Sequence, residues 1–153
     1  MYYEEFIPQE TLTTGRRQVT VSDLDAFLKL TGLENPIFLS NDGAAAAGHS
    51  GRIVPAPFQI SIAMGLAQQA GLFDHVVAVL EFDVMKFHRS VHPGDTLMLK
   101  AVTLQKRETS RSERGLVVLE YRLLNQQEET VMSCRATYLM RRRPFPEIDL
   151  SHG

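Results

Sequence analysis

The stretch PFQISIAMGLAQQAG, residues 57–71, decides the fold. Pro57 suits the first turn of a helix, and Gly71 is typical of a helix end. Between them, apolar residues cover most of the helix circumference instead of one stripe. These residues are Phe58, Ile60, Ile62, Ala63, Met64, Leu66, Ala67 and Ala70. We therefore predict a long helix that is buried nearly all round and that another part of the chain must cover.

The second half of the chain supplies that cover. Four segments are rich in β-forming residues or alternate between apolar and polar positions. They are residues 77–87, 96–106, 117–123 and 132–140, and residues 16–21 form a possible further strand. Residues 125–129 are a polar connection between the last two strands. A curved antiparallel sheet wrapped around one long helix is an α+β fold.

A shorter helix precedes the central one. Ser22 is a candidate N-cap with Asp25 three residues later, and Gly32 is a natural residue to end the helix. Residues 35–51 are predicted as a loop, in which residues 44–47 could add a helical turn.

The composition fits one domain and excludes several classes of protein. The chain has 153 residues, is 44% hydrophobic and 22% charged, and has a formal net charge of −2. We predict a single domain over residues 1–153, with a core over about 16–141 and a C-terminal tail at 142–153. The single cysteine, Cys134, excludes a disulfide scaffold and a zinc finger. The slight negative charge argues against nucleic acid as a partner.

No segment of the sequence predicts a membrane location. The N-terminus, MYYEEFIPQE, has acidic residues where a signal peptide needs basic ones. No run approaches the roughly 20 apolar residues that span a bilayer. We therefore expect a cytoplasmic protein that binds no membrane.

Three motifs, in this order, carry a family resemblance. They are TGLENPIF at 31–38, GRIVPAPFQISIAMGL at 51–66 and VHPGDTL at 91–97. With the order of helices and strands, they make residues 20–141 similar to the hotdog fold, and specifically to the MaoC-like family of (R)-specific enoyl-CoA hydratases and acyl dehydratases. The resemblance implies a long central helix wrapped by a curved antiparallel sheet, and chemistry on acyl thioesters in fatty acid metabolism.

The same motif shows a departure from that family. Its members carry Gly-Asp-x-Asn-Pro-x-His, in which the Asp and His activate a water that adds to the enoyl group. Here Leu33 stands at the Asp position and Phe38 at the His position. Because an acid–base group typically contributes about 10²–10⁴ in rate, the resemblance implies hydration near the background rate. We expect no catalytic residue at these two positions.

Two neighbouring side chains are further candidates for a catalytic role. Glu34 follows the missing Asp, but one step along a helix rotates a side chain by about 100°, so it is expected to point elsewhere. Its other interpretation is a solvated surface carboxylate. His49 lies in the glycine-bounded stretch AAGHSGR, and its other interpretation is an exposed loop histidine.

Five residues are predicted to bind the substrate. The resemblance places the backbone N–H of Ala56 as the donor to the thioester oxygen, next to Pro57, which cannot donate. Ser61 either faces the pocket or bonds back to the preceding helical turn. Asn35 shapes the motif turn. Arg89 contacts coenzyme A phosphates or is simply solvated.

Other chemistries lack suitable groups. Hotdog thioesterases often use a carboxylate on the central helix, and none occurs between Pro57 and Gly71. Cys134 fits a buried strand position better than a reactive thiolate. Residues 141–143, all arginine, serve either an anionic partner or a charged strand end. No spacing of ligands predicts a metal, and no cofactor is expected beyond the coenzyme A or acyl-carrier thioester itself.

Two functions remain at this point. The first is an acyl-CoA or acyl-carrier-protein binding member of the family without the usual hydratase dyad. The second is an active hydratase, dehydratase or hotdog thioesterase that uses other residues. In either case the resemblance and the unpaired strand edges predict a homodimer, or a heterodimer with a catalytic hotdog subunit.

Overall fold

The computed structural model describes residues 1–145, which form four α-helices and five β-strands. The helices are α1 (Val21–Thr31), α2 (Pro36–Leu39), α3 (Asn41–Ala46) and α4 (Ala56–Gln69). The strands are β1 (Thr11–Gln18), β2 (Val76–Phe87), β3 (Thr96–Glu108), β4 (Arg114–Leu124) and β5 (Thr130–Arg141). A short 3₁₀ turn, Tyr3–Glu5, precedes them.

The strands form one antiparallel sheet in the order β1-β3-β4-β5-β2. Alternate residues of β4 and β5 are buried, as the sequence pattern predicted. Helix α4 packs against β1 and β3, and its apolar residues join those of the sheet in one hydrophobic core. The α+β prediction of a sheet around a central helix is confirmed.

The predicted start of α1 was wrong by two residues. The N-cap is Thr20, whose hydroxyl accepts from the N–H of Asp23 at 3.1 Å. The Asp23 carboxylate accepts from the Thr20 N–H at 3.0 Å, which completes a capping box. The Ser22 and Asp25 pair has the same spacing, but Asp25 bonds Arg52 instead. The predicted end is confirmed, because Gly32 has φ +73°.

The predicted strand at residues 16–21 was also misplaced. Strand β1 begins at Thr11 and ends at Gln18, because the chain leaves the sheet to form the α1 cap. The domain core therefore begins before residue 16, and Tyr3 and Phe6 are buried in it. Of the tail at 142–153, residues 146–153 lie outside the described part of the chain.

Helix α4 is buried on one side only, contrary to the expectation of burial nearly all round. Phe58, Ile62 and Leu66 are buried against the sheet, whereas the opposite side exposes Pro57, Ser61 and Gly65 among others. The difference arises because a single sheet covers only one side of a helix. The exposed side of α4 thus carries small or polar residues, and none of the large apolar residues of this helix is exposed.

Strand β2 forms one edge of the sheet and is unusually apolar for an edge. Its exposed apolar residues are Val77, Val79, Leu80, Val84 and Phe87. Its pairing with β5 shifts register three times, the last between Asp83 and Lys86, where Val84 has φ +48°. A positive φ is uncommon for a β-branched residue and marks a bulge here.

None of the helices within residues 1–145 is long and apolar enough to cross a membrane.

Candidate functional site

The motif turn is held by a side-chain cap. Asn35 precedes Pro36, and its side-chain carbonyl accepts from the N–H of Ile37 at 3.1 Å. Proline has no backbone N–H, so at the first helical position it leaves no donor without an acceptor. Asn35 therefore shapes this turn, as predicted, and its exposed side chain does not line the cleft described below.

Packed apolar side chains fill both positions at which the resemblance would place the Asp and His of the motif. Leu33 and Phe38 are half-buried and pack against the hydrophobic core. Neither side chain can accept or donate a proton. The two positions contribute apolar surface here.

Arg52 fixes the position of this segment. Its Nε donates to the backbone oxygen of Phe38 at 2.7 Å, and its Nη2 donates to the carboxylate of Asp25 at 2.5 Å. Its backbone N–H donates to the side chain of Asn41 at 3.1 Å. The Arg52 side chain is only 13% exposed. One residue thus links α1, α2 and α3. In the sequence, it is marked only as the single basic residue of the stretch GRIVPAPF.

A cleft of about 350 Å³ opens at the N-terminal end of α4. Three separate segments line it, namely residues 37–38, residues 53–56 with Gln59, and residues 87–90. Of the predicted site residues, the cleft brings together Phe38, Ala56 and Arg89. Its walls are largely apolar, with Ile37, Phe38, Ile53 and Phe87 among the lining residues. This composition suits a ligand with an apolar portion.

The start of α4 provides a backbone donor at this cleft. Ala56 is the first residue of the helix, and the N–H groups of a first turn have no acceptor within the helix. The oxygen of Pro55 accepts from Phe58 and Gln59 at 3.0 and 3.2 Å, so that these two N–H groups are already used. Pro57 has no N–H. The Ala56 N–H therefore remains as the donor, and the helix dipole favours a negatively polarised oxygen beside it.

Gln59 is the buried polar residue of the cleft. Its side chain is 4% exposed, and its Oε1 has no hydrogen-bond partner within residues 1–145. Sequence reasoning missed it, because apolar residues surround most of α4 and did not mark the side on which Gln59 lies. Only the packing of α4 shows that this glutamine points inward.

Ser61 lies on the exposed side of α4. Its hydroxyl donates to the backbone oxygen of Pro57 at 2.9 Å. Of the two alternatives considered from the sequence, the structure shows the bond to the preceding turn. Neither Ser61 nor Pro57 lines the cleft.

The rim of the cleft carries a histidine and an arginine. The ring Nε2 of His88 lies 2.8 Å from the hydroxyl of Ser133. The Nε of Arg89 lies 2.8 Å from the carboxylate of Glu129, and its side chain is 60% exposed. No local sequence signal marked His88, which reaches the cleft because β2 ends beside α4.

The other two candidates for catalysis lie elsewhere. Glu34 is exposed, and His49 is half-buried just after α3. The backbone N–H of His49 donates to the oxygen of Ala44 at 3.0 Å. Neither residue lines the cleft at α4.

Cys134 is buried, and Arg142 at the end of β5 forms ion pairs within the fold. Cys134 is 3% exposed, and burial, with a smaller effect of Asp83, raises the pKa of its thiol to about 11. Arg142 pairs with Glu4 and Glu108 at 3.1 and 3.0 Å.

Within the described part of the chain, no group of three His, Cys, Asp or Glu side chains could hold a metal ion.

Comparison with known proteins identifies the relatives of this chain. The family model of the FAS1-like dehydratase domain region matches residues 5–134. The protein MaoC of Klebsiella aerogenes is 33% identical over 114 residues, which are 74% of this chain and 33% of that protein. The chain therefore spans a third of the length of this relative.

Solved structures show the same fold. A monoamine oxidase regulatory protein from Archaeoglobus has a TM-score of 0.85 and 26% identity, over 94% of this chain and 96% of the other. A Mycobacterium tuberculosis protein with a double hotdog fold has a TM-score of 0.84 and 19% identity, over 94% of this chain and 45% of the other.

Proposed function

Because the chain belongs to the MaoC-like hotdog dehydratase family, we propose that it binds acyl thioesters of coenzyme A or acyl-carrier protein and lacks the usual hydratase chemistry. The observation that carries the proposal is the cleft at the start of α4. There an apolar wall that includes Phe38 lines the same cleft as Ala56, whose backbone N–H is free to donate.

The two parts of this cleft match the two parts of an acyl thioester. The thioester oxygen carries partial negative charge and accepts hydrogen bonds, so that it suits the Ala56 N–H at the positive end of the helix dipole. The acyl chain is apolar and suits the wall formed by Ile37, Phe38 and Ile53. The exposed Arg89 supports a further contact with a phosphate, for which it would exchange its bond to Glu129.

The packing of Leu33 and Phe38 supports the absence of ordinary hydration. Adding water to a double bond requires a group that positions and deprotonates the water and a group that protonates carbon. Side chains of Leu and Phe do neither. With both groups missing, the remaining stabilisation of the thioester oxygen by Ala56 leaves the rate close to background.

One observation favours a second candidate, an active hydratase or dehydratase that uses other residues. His88 lines the same cleft, and an imidazole is a common general acid or base. Its bond to Ser133 would orient the ring. A His88→Gln variant separates the candidates, because it abolishes any turnover that depends on this imidazole and leaves thioester binding in place.

A second hotdog domain is the proposed protein partner. The exposed side of α4, with Pro57, Ser61 and Gly65, and the apolar edge strand β2 are surfaces that a partner could bury. This chain covers 45% of a relative in which two hotdog units occur together. The partner is a second copy of this chain or a catalytic hotdog subunit. Light scattering that shows only monomer at micromolar concentration would contradict self-association.

The central test measures binding and turnover separately. We expect calorimetry to detect binding of butyryl-CoA, and we expect crotonyl-CoA to lose no enoyl absorbance. Turnover comparable to that of ordinary hydratases would refute the non-catalytic proposal. No binding of any acyl-CoA or acyl-carrier protein would refute both candidates. The cytoplasmic location stays a prediction, which fractionation of cells would test.

Restoring the dyad provides a matched gain-of-function test. Leu33→Asp with Phe38→His places an acid and a base in the motif that Asn35 still shapes. We expect this double variant to hydrate crotonyl-CoA measurably, and each single variant to stay inactive. A double variant that folds, binds and remains inactive would show that the pocket differs in more than the dyad.

A further inference from the structure

A hollow of about 380 Å³ lies where β4 begins and β5 ends, and the proposed function does not use it. Three consecutive arginines, residues 141–143, line this hollow together with Arg114. The sequence left two interpretations of the three arginines, an anionic partner or a charged strand end. Their contacts show which of them serve the fold and which remain available to a ligand.

Two of the four arginines are paired within the fold. Arg142 lies 3.1 and 3.0 Å from the carboxylates of Glu4 and Glu108. The backbone N–H of Arg143 donates to Glu4 at 3.0 Å, and its Nη2 lies 3.7 Å from the carboxylate of Glu5. These contacts hold the end of β5 against the N-terminal turn, so that they explain both side chains without a ligand.

The other two arginines, Arg114 and Arg141, face each other across the sheet. They are directly opposite partners in the ladder between β4 and β5, so both side chains lie on the same face. That face is the outer one, because the next pair, Gly115 and Met140, is buried. Like charges directly opposite each other destabilise a sheet, so that this pair costs free energy until an anion lies between the two guanidinium groups.

Carboxylates of the fold do not remove this repulsion. Glu113 lies 3.7 Å from the Nε of Arg114, which is longer than a hydrogen bond. The Glu113 side chain is exposed, so that solvent screens the pair. Among residues 1–145, Arg141 forms no ion pair with a carboxylate. Within this part of the chain, the two facing guanidinium groups therefore have no common counter-ion.

We propose that Arg114 and Arg141 bind the phosphate group of a small phosphate ester, at a second site that is separate from the cleft. A guanidinium group presents N–H donors in a planar fork that matches phosphate oxygens, and two forks from neighbouring strands suit a tetrahedral dianion. The hydroxyl of Ser112, which lines the same hollow, is a further donor. Val77 and Phe145 form an apolar part of the lining, which suits the organic part of the ester.

The hollow and the cleft are at opposite ends of β5. The backbone N–H of His88, a lining residue of the cleft, donates to the oxygen of Val131 at 2.8 Å. Arg141 follows Val131 by ten residues on β5, and a strand rises about 3.3 Å per residue, so that roughly 30 Å of strand separate the two sites. Phosphate binding at the hollow is therefore independent of acyl-thioester binding at the cleft.

Titration calorimetry at low ionic strength tests this site with two probes, inorganic phosphate and phenyl phosphate. We expect the wild type to bind both, and phenyl phosphate more tightly, because its ring contacts the apolar part of the hollow. Arg114→Gln and Arg141→Gln each remove one fork and should weaken binding roughly ten- to hundredfold. Arg122→Gln, exposed on the same strand β4, is the matched control and should bind as the wild type does.

Thermal unfolding measures the repulsion between the two arginines. Without phosphate and at low salt, Arg141→Gln should melt at or above the temperature of the wild type, because it removes one of two like charges. With phosphate at about ten times its Kd, the wild type should gain roughly 3–6 °C and this variant much less. A purely structural role of Arg141 would instead lower the melting temperature in both conditions, which overturns the proposal.

Three further outcomes also overturn it. The first is that neither probe produces more heat or a larger melting shift than chloride at the same ionic strength. The second is that Arg141→Gln binds phosphate as tightly as Arg122→Gln. The third is equal affinity for the two probes, which overturns the assignment to an ester. Arg141→Lys, which keeps the charge and loses the fork, should also bind more weakly and replaces Arg141→Gln if that variant does not fold.

Discussion

Arg52→Met should destabilise the fold more than an ordinary surface substitution, because the Arg52 side chain joins α1 and α2. The variant loses the 2.7 Å bond from Nε to the Phe38 oxygen and the 2.5 Å pair with Asp25. Methionine keeps most of the apolar stem of arginine, so the packing changes little. The backbone bond from residue 52 to Asn41 is unaffected.

The two lost interactions contribute different free energies to stability because they differ in burial. The Asp25 side chain is 59% exposed, so that solvent screens the ion pair to at most about 1 kcal/mol. The Phe38 oxygen loses a charged donor in a part-buried place, which costs about 1.5–2 kcal/mol. The expected total is about 2–3 kcal/mol, equivalent to a fall in melting temperature of roughly 4–12 °C for a chain of this size.

Urea unfolding followed by circular dichroism measures this free energy, since the chain has no tryptophan for fluorescence. Arg16→Met, at an exposed strand position, is the matched control and should change stability by less than about 0.5 kcal/mol. Asp25→Asn should cost less than half the effect of Arg52→Met. If Arg52→Met stays within about 0.5 kcal/mol of the wild type, the role assigned to Arg52 is wrong.

Three further predictions concern other parts of the fold. In Gly115→Ala, the added Cβ would lie 2.3 Å from the Tyr3 ring. We expect urea unfolding to show a free energy of unfolding lower by about 1–3 kcal/mol, with release of the N-terminal turn. Unchanged stability would contradict this packing. The Cys134 thiol, with a pKa raised to about 11, should react slowly with maleimide at pH 8 in the native protein and readily in guanidinium. Rapid labelling of the native protein would refute the burial of this thiol. The backbone bond from Thr20 lowers the pKa of Asp23, so its stabilisation is present above the ordinary aspartate range and lost as the pH falls through the lowered value. Asp23→Asn should therefore cost about 0.5 kcal/mol at pH 7 and nothing at pH 2, and an equal cost at both would argue against the capping box.

The central features of the fold could be predicted because they are local. The all-round apolar pattern of residues 57–71 determines a central helix, and alternation in β4 and β5 determines the sheet that covers it. The motif turn followed from Asn35 and Pro36 alone. The start of α1 was predicted two residues too late, since Thr20 with Asp23 and Ser22 with Asp25 have the same capping spacing. The distant partner Arg52, which binds Asp25, distinguishes them only in the folded chain.

The cleft was only partly predictable, because three segments that are distant in sequence form it. The motif comparison located Phe38 and Ala56, which are close to recognisable sequence signals. His88 and Gln59 had no such signal. The orientation of Gln59 depends on which side of α4 the sheet covers, and apolar residues around most of this helix do not mark that side clearly. Burial of a polar residue within an apolar pattern is a tertiary property.

The irregular edge of the sheet has a consequence for aggregation. Strand β2 has three register shifts within twelve residues, and one of them places Val84 in the left-handed region. A long, flat and apolar edge would act as a template for endless addition of strands, as in fibrils. The bulges twist this edge and interrupt its line of free backbone groups, so that only a strand of matching shape can add to it. The irregularity therefore favours a closed assembly over an open-ended fibre, although the edge itself is apolar.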